Sequence, residues 1–156
     1  MLPNLKVAPL TNHKDLIPTV AQWYLAAFGR KETTLERCQE VLQNRLNTDC
    51  LNCCFLAFID DEVVGTVSLT ANDIPSKPEL SPCVTHLFVS EKYRCKNIGQ
   101  SLIEYAKQKS KEMNFRKAYL YTTNKTIYKW YEKLGWKIID EDIANGIEIK
   151  IMEYNL

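Results

Sequence analysis

The stretch that most restricts the fold is Val84 to Glu112, where an apolar strand pattern runs through a basic turn into an amphipathic helix. Val84-Thr85-His86-Leu87-Phe88-Val89 is β-branched and apolar enough for a buried strand. Gly99 opens the helix, in which Leu102, Ile103, Ala106, Ser110 and Met113 share one side and Gln100, Glu104, Lys107, Gln108 and Lys111 the other. The junction between them, Arg94-Cys95-Lys96-Asn97-Ile98-Gly99-Gln100-Ser101, sets two cations beside the orphan N–H groups of a helix start. Partial positive charge and free donors at such a point form a phosphate cradle. The junction is neither a Walker loop, because Lys96 is followed by Asn, nor a dinucleotide fingerprint, because the glycines are missing.

Around this unit the chain alternates short strands and helices. Leu5 to Leu10 reads as a strand, about Asp15 to Phe28 as a helix stopped by Gly29, and Thr33-x-x-Glu36 as the capping box of a second helix. The apolar seam of that second helix is Leu35, Cys38, Val41, Leu42, Arg45 and Leu46. Cys53 to Ile59 is a strand buried on both faces, and Asp60-Asp61-Glu62 turns it into a second strand with period-two alternation. Ala71 to Pro82 is a long loop, and loops of that length in a compact domain tend to carry function. Downstream come a strand at Ala118 to Thr123, a short helix capped by Asn124 and stopped by Gly135, and strands at Trp136 to Ile139 and Gly146 to Met152. No repeat or linker interrupts the pattern, so residues 1–156 read as one α/β domain.

Composition excludes several classes of function. With 20 basic residues against 19 acidic ones, the chain has no charge excess for bulk nucleic-acid binding. The longest apolar run, Cys53 to Ile59, is far short of a membrane span, and the first residues lack the apolar core of a signal peptide. Six cysteines are scattered over helix, strand and loop positions, and Cys50-x-x-Cys53-Cys54 has no second pair to complete a zinc site. No metal is expected, and reduced thiols point to the cytoplasm.

Arg94, Asn97 and Gly99 after an apolar strand resemble the acyl-CoA signature of the GNAT N-acetyltransferase superfamily, Arg/Gln-x-x-Gly-x-Gly/Ala. Asn97 departs from the usual Gly, but Asn tolerates positive φ better than other side chains. A second segment, Asn124-x-x-Ile127-x-x-x-Tyr131-Glu132-Lys133-Leu134-Gly135-Trp136, is similar to that superfamily's Asn-x-x-Ala-x-x-x-Tyr-x-x-x-Gly-Phe. The resemblance implies a mixed central sheet of about six to seven strands flanked by four helices, with the fourth and fifth strands splayed apart. It also implies acetyl-CoA as co-substrate: Leu87, Phe88 and Val89 would flank the pantetheine arm, residues Arg94, Cys95, Lys96, Asn97, Ile98, Gly99, Gln100 and Ser101 would hold the pyrophosphate, and Asn124 would touch the cofactor. Tyr131 would donate to the leaving sulfur. For the base that takes the amine's proton, His86, Asp73, Glu79 and ordered water stay open.

The function so implied is acetyl transfer to a primary amine, whether a small molecule, a polyamine, an antibiotic or a peptide N-terminus, by direct attack in a ternary complex. The alternative is a catalytically weak acyl-CoA-binding or sensing module of the same fold. Neither reading calls for nucleic acid or membrane, and both leave room for a homodimer.

Overall fold

The computed structural model describes residues 4–123 and 125–156. Its elements follow the expected order: β1 (Leu5–Pro9), α1 (Ile17–Phe28), α2 (Leu35–Gln43), β2 (Cys53–Ile59), β3 (Glu62–Thr70), β4 (Cys83–Val89), α3 (Ile98–Glu112), β5 (Lys117–Thr122), α4 (Tyr128–Lys133), β6 (Lys137–Ala144) and β7 (Ile147–Asn155). The strands form one mixed sheet in the order β1-β2-β3-β4-β5-β7-β6. Every neighbouring pair is antiparallel except β4 and β5, which run parallel and pair only at Cys83 and Tyr119. Past that point the two strands splay, as expected.

The continuous apolar run of β2 is explained by its two faces. Cys54, Leu56 and Phe58 meet Val20, Ala21, Tyr24 and Leu42 of α1 and α2. Cys53, Phe55 and Ala57 meet Leu102, Ile103 and Ala106 of α3, together with Tyr131 of α4. Helices therefore cover both sides of the central strands, and residues of consecutive number serve opposite layers. Each large side chain so buried contributes about 1.5–3 kcal/mol. The β2–β3 turn has positive φ at Asp60 and Asp61, as a two-residue hairpin loop matching strand twist requires. The 71–82 loop carries Ile74, fully buried against Cys83, Ile149 and Ile151, so it covers the sheet beside the splay.

Four boundaries differ from the sequence expectation. The cap of α2 is Thr34, whose hydroxyl accepts from Arg37 N at 3.1 Å, while Thr33 accepts from Arg30 N at 2.9 Å and closes the preceding turn. That shift moves Glu36 to the second helical position, and the capping box does not form. A short 3-10 turn, Lys14–Leu16, delays α1 to Ile17. The last two strands run to Ala144 and Asn155, well past the apolar pattern. Asp140, Glu141 and Asp142 belong to an edge strand, where charge is tolerated: Asp140 pairs with Lys77 at 3.1 Å and Glu141 with Lys150 at 2.7 Å. Gly135, at φ +98°, ends α4; a Cβ there would come within 3.0 Å of the Tyr154 ring.

Candidate active site

A cavity of about 640 Å³ opens where β4 and β5 part. Ala27 to Arg30 at the end of α1, Asp73 and Pro75 of the long loop, and Ile127 and Tyr131 all line it. Thr85, His86 and Leu87 of β4 face Leu120 to Thr123 across the gap. Of the residues singled out in the sequence, His86, Leu87 and Tyr131 thus meet in one cavity. Phe88, Val89 and Arg94 to Ser101 lie together at the β4–α3 junction instead, and Asn124 lies outside the described residues.

The junction is shaped by its backbone. Cys95 and Asn97 adopt left-handed conformations, φ +63° and +64°, and Asn97 caps α3. The first bond of the helix runs from Ser101 N to Asn97 O at 3.1 Å, which leaves the amides of Ile98, Gly99 and Gln100 as orphan donors. Lys96 is exposed and makes no ion pair among the described residues. Arg94 folds back: its Nε donates to Val89 O at 2.9 Å and its guanidinium lies 5.4 Å from the Phe88 ring centroid. Gly99 is not demanded by its own surroundings, since a Cβ would meet only ordinary contacts, Trp130 at 3.6 Å and Val89 at 3.8 Å. Its lack of a side chain keeps the space over the free amides open.

Tyr131 is held by Trp130 and Trp136, at ring-centroid distances of 4.9 and 6.2 Å. Its hydroxyl makes no hydrogen bond among the described residues, although it lines the cavity. Burial pushes the phenol pKa up to about 12. Burial likewise raises the Asp73 carboxyl, a trend opposed by a hydrogen bond from Thr85 and by the charge of Arg45.

His86 sits on a bulge. Thr66 pairs with Phe88 and Ser68 with Thr85, so Val67 stands opposite both His86 and Leu87, and His86 takes φ +51°. The imidazole stacks on Tyr24 at 4.3 Å with Phe28 at its edge, 4.9 Å away. Arg45 NH1 lies 2.9 Å from its Nδ1 and 3.1 Å from the Tyr24 hydroxyl. Burial, and then the Arg45 charge, lower its pKa to about 3. Arg45 itself is what sequence reasoning missed: it was read as part of an apolar seam, but it lies two residues past the end of α2. A charged residue at an apolar position was the signal.

Among the described residues, no group of three or more His, Cys, Asp or Glu side chains could hold a metal, and no helix is long and apolar enough to cross a membrane.

Comparison with known proteins agrees with this geometry. The chain is 42% identical over 57 residues to a streptothricin acetyltransferase from Escherichia coli, a stretch covering 35% of this chain and 29% of that protein. In fold it is similar to aminoglycoside 6'-acetyltransferase type Ii, with a TM-score of 0.74, 20% identity and 96% of each chain covered. It is also similar to a GNAT family acetyltransferase from Elizabethkingia anophelis with acetyl-CoA bound, with a TM-score of 0.68, 20% identity, and 99% of this chain and 100% of that one covered. The model of the Acetyltransferase (GNAT) family matches residues 17–136, most of the sequence, and the chain belongs to that family.

Proposed function

We propose that the protein is an acetyl-CoA-dependent N-acetyltransferase acting on a primary amine, with a small-molecule amine as the favoured acceptor. The observation that carries this reading is the cavity between the splayed strands, lined by Tyr131, whose hydroxyl has no partner among the described residues, and by the half-buried carboxylate of Asp73. The relatives' names, streptothricin and aminoglycoside acetyltransferase, support an amine of antibiotic or similar size.

In this reading the pantetheine arm lies along Leu87, Phe88 and Val89 and pairs with β4 as an added strand would. The pyrophosphate rests on the amides from Cys95 to Ser101, with Arg94 and Lys96 as charge partners and Asn124 as a further contact. The amine nitrogen attacks the thioester carbon, a C–N bond forms, and the C–S bond breaks as the tetrahedral intermediate collapses. The amine's extra proton goes to a base, for which Asp73 is suited because its raised pKa makes it the better proton acceptor. Tyr131 donates to the departing sulfur. With a phenol pKa near 12 against a thiol of about 8.5, it acts as a hydrogen-bond donor to developing charge rather than as a group that gives its proton away completely. Six free cysteines fit a cytoplasmic protein.

Calorimetry with acetyl-CoA and CoA, followed by release of free thiol over a panel of small amines, polyamines, aminoglycosides and peptides, tests the assignment. Binding with amine-dependent thiol release is the expected result. Binding without release for any amine points to an acyl-CoA sensing module, and absence of binding overturns the cofactor site.

A further inference from the structure

We propose that Arg45 fixes His86 as a neutral imidazole whose Nε2–H is a hydrogen-bond donor into the cavity, serving the acyl oxygen of the bound thioester. This rests on the acetyl-transfer reading above and gives His86 a different task from removing the amine's proton.

The argument is a proton inventory. A guanidinium has donors only and does not lose its charge in a protein, so in the 2.9 Å contact Nδ1 must accept from Arg45. Thr85 Oγ1 is also 3.2 Å from Nδ1, and a hydroxyl proton shared with that lone pair leaves Nδ1 an acceptor all the same. The Tyr24 hydroxyl accepts from the same Arg45 nitrogen at 3.1 Å and shares a hydrogen bond with Ser68 Oγ at 2.9 Å. The Arg45 contact thereby makes Nδ1 the acceptor. A neutral imidazole with Nδ1 accepting carries its hydrogen on Nε2.

Nε2 has no partner among the described residues, and His86 lines the cavity. It already holds a hydrogen, so it has no lone pair with which to take one from an amine. Protonating the ring would set a second cation beside Arg45, and burial disfavours that form further. The groups that face the ring are Tyr24 and Phe28 from α1, Arg45 from the segment after α2, Asp73 from the loop and Thr85 from β4. None of them is a carboxylate in contact with the imidazole. Of the atoms in an acetyl transfer, the acyl oxygen gains negative charge, and a fixed donor beside it works only if it is already oriented. The positive φ of His86 and its stacking on Tyr24 provide that orientation. Arg45 is a positioning residue here, acting through His86.

Nitrogen-15 NMR of the His86 ring decides the tautomer in the wild-type protein without any need for turnover. The expected spectrum shows Nε2–H from pH 5 to pH 9 with no titration, and Arg45→Met should let the ring titrate nearer its ordinary pKa of about 6.5. For the oxygen, acetyl-CoA labelled with carbon-13 at the carbonyl is bound to wild type, His86→Gln and His86→Leu. The carbonyl resonance should move upfield in His86→Leu and much less in His86→Gln, whose amide can reach the same place. Turnover should fall about 10²-fold in His86→Leu, the loss typical of one oxyanion donor, with His86→Gln retaining most of it. An Nδ1–H tautomer, titration of wild-type His86 between pH 5 and 8, or a carbonyl resonance indifferent to residue 86 overturns the proposal. If His86→Leu does not fold, the wild-type ring spectrum still decides the tautomer, and His86→Ala takes its place in the carbonyl measurement. Failure of acetyl-CoA to bind at all would instead count against the acetyl-transfer reading, and the ring spectrum would stand apart from it.

Discussion

The two halves of the candidate site are made in different ways. The β4–α3 junction is local: the proposed anion cradle is eight consecutive residues, Arg94 to Ser101, with two left-handed backbones and a helix start. The other half, around His86, is assembled from α1, the segment after α2, the long loop and a bulge in β4, and its chemistry resides in side chains far apart in sequence. A backbone cradle can be recognised from spacing, and it can be damaged only by changes within it. An assembled pocket can be retuned from many places, which suits the half that must fit a particular amine.

Gly99→Asp should break the local half most completely. Negative charge near a helix N-terminus stabilises the helix, and the added Cβ has 3.6 Å of room to Trp130, so the melting temperature should hold or rise slightly. The same carboxylate sits where a pyrophosphate would bind, and repulsion there should raise the Kd for CoA by about 10³-fold or more, roughly 4 kcal/mol. Calorimetry and thermal melting on one sample separate the two effects; unchanged affinity sinks the cradle.

That contrast also explains what could be read in advance. The order of elements follows from short-range patterns, alternation in β3 and helical spacing in α3, and the positive φ at position 97 from an Asn able to take it, while the splay was expected only from the resemblance to the GNAT superfamily. The polar edge strand β6 hid its length, because Asp140, Glu141 and Asp142 interrupt the apolar pattern, while Asp140 pairs with the distant Lys77 and Glu141 with Lys150 on β7. The cap of α2 was misplaced by one residue because Thr33 and Thr34 are chemically equivalent, and only the path of the chain chooses between them. Arg45 stood out as a charge within a helix seam, but its role did not, because its contacts are distant in sequence. Its partners, Tyr24 and His86, are 21 and 41 positions away.

Tyr131→Phe tests the boundary between the halves. The ring and its contacts with Trp130 and Trp136 remain, so acetyl-CoA affinity and melting temperature should be close to wild type. Turnover should fall by about 10²-fold, the low end for a lost acid and in the range for a lost oxyanion donor, because a thiolate is already a fair leaving group. With the phenol pKa near 12, wild-type activity should show no loss between pH 9 and 10.5 that Tyr131→Phe abolishes. Turnover within about threefold of wild type would falsify the role of the hydroxyl at sulfur.

Acidification should expose the assembled half. A histidine whose folded pKa is lowered from 6.5 to about 3 stabilises the fold fully above pH 6.5, and that stability is lost as pH falls toward 3. Between pH 6.5 and 5 the loss amounts to about 2 kcal/mol, at about 1.4 kcal/mol per unit. Asp73, with a raised carboxyl pKa, works in the opposite sense and is present in both proteins compared. Denaturant unfolding at pH 7 and pH 5 should therefore show a steeper acid loss for wild type than for His86→Gln. Equal losses would mean that His86 is as easily charged folded as unfolded.

The smallest effect should come from Thr34→Ala, and it should be confined to one half. Thr34 accepts from Arg37 N, and loss of such a cap costs about 1 kcal/mol, or roughly 2–4 °C in a domain of this size. Arg45 is tied to the end of the same helix, its N–H donating to Leu42 O at 2.9 Å, so a frayed α2 loosens the residue that orients His86. The cradle at α3 shares no element with α2. Acetyl-CoA affinity should therefore be unchanged while turnover falls modestly and the melting temperature drops. Thr33→Ala is the control: it removes only the turn bond from Arg30 N and should cost less than Thr34→Ala. If Thr33→Ala proves the more damaging of the two, the cap is misassigned. If Thr34→Ala weakens acetyl-CoA binding as much as it lowers turnover, the two halves are not energetically separate.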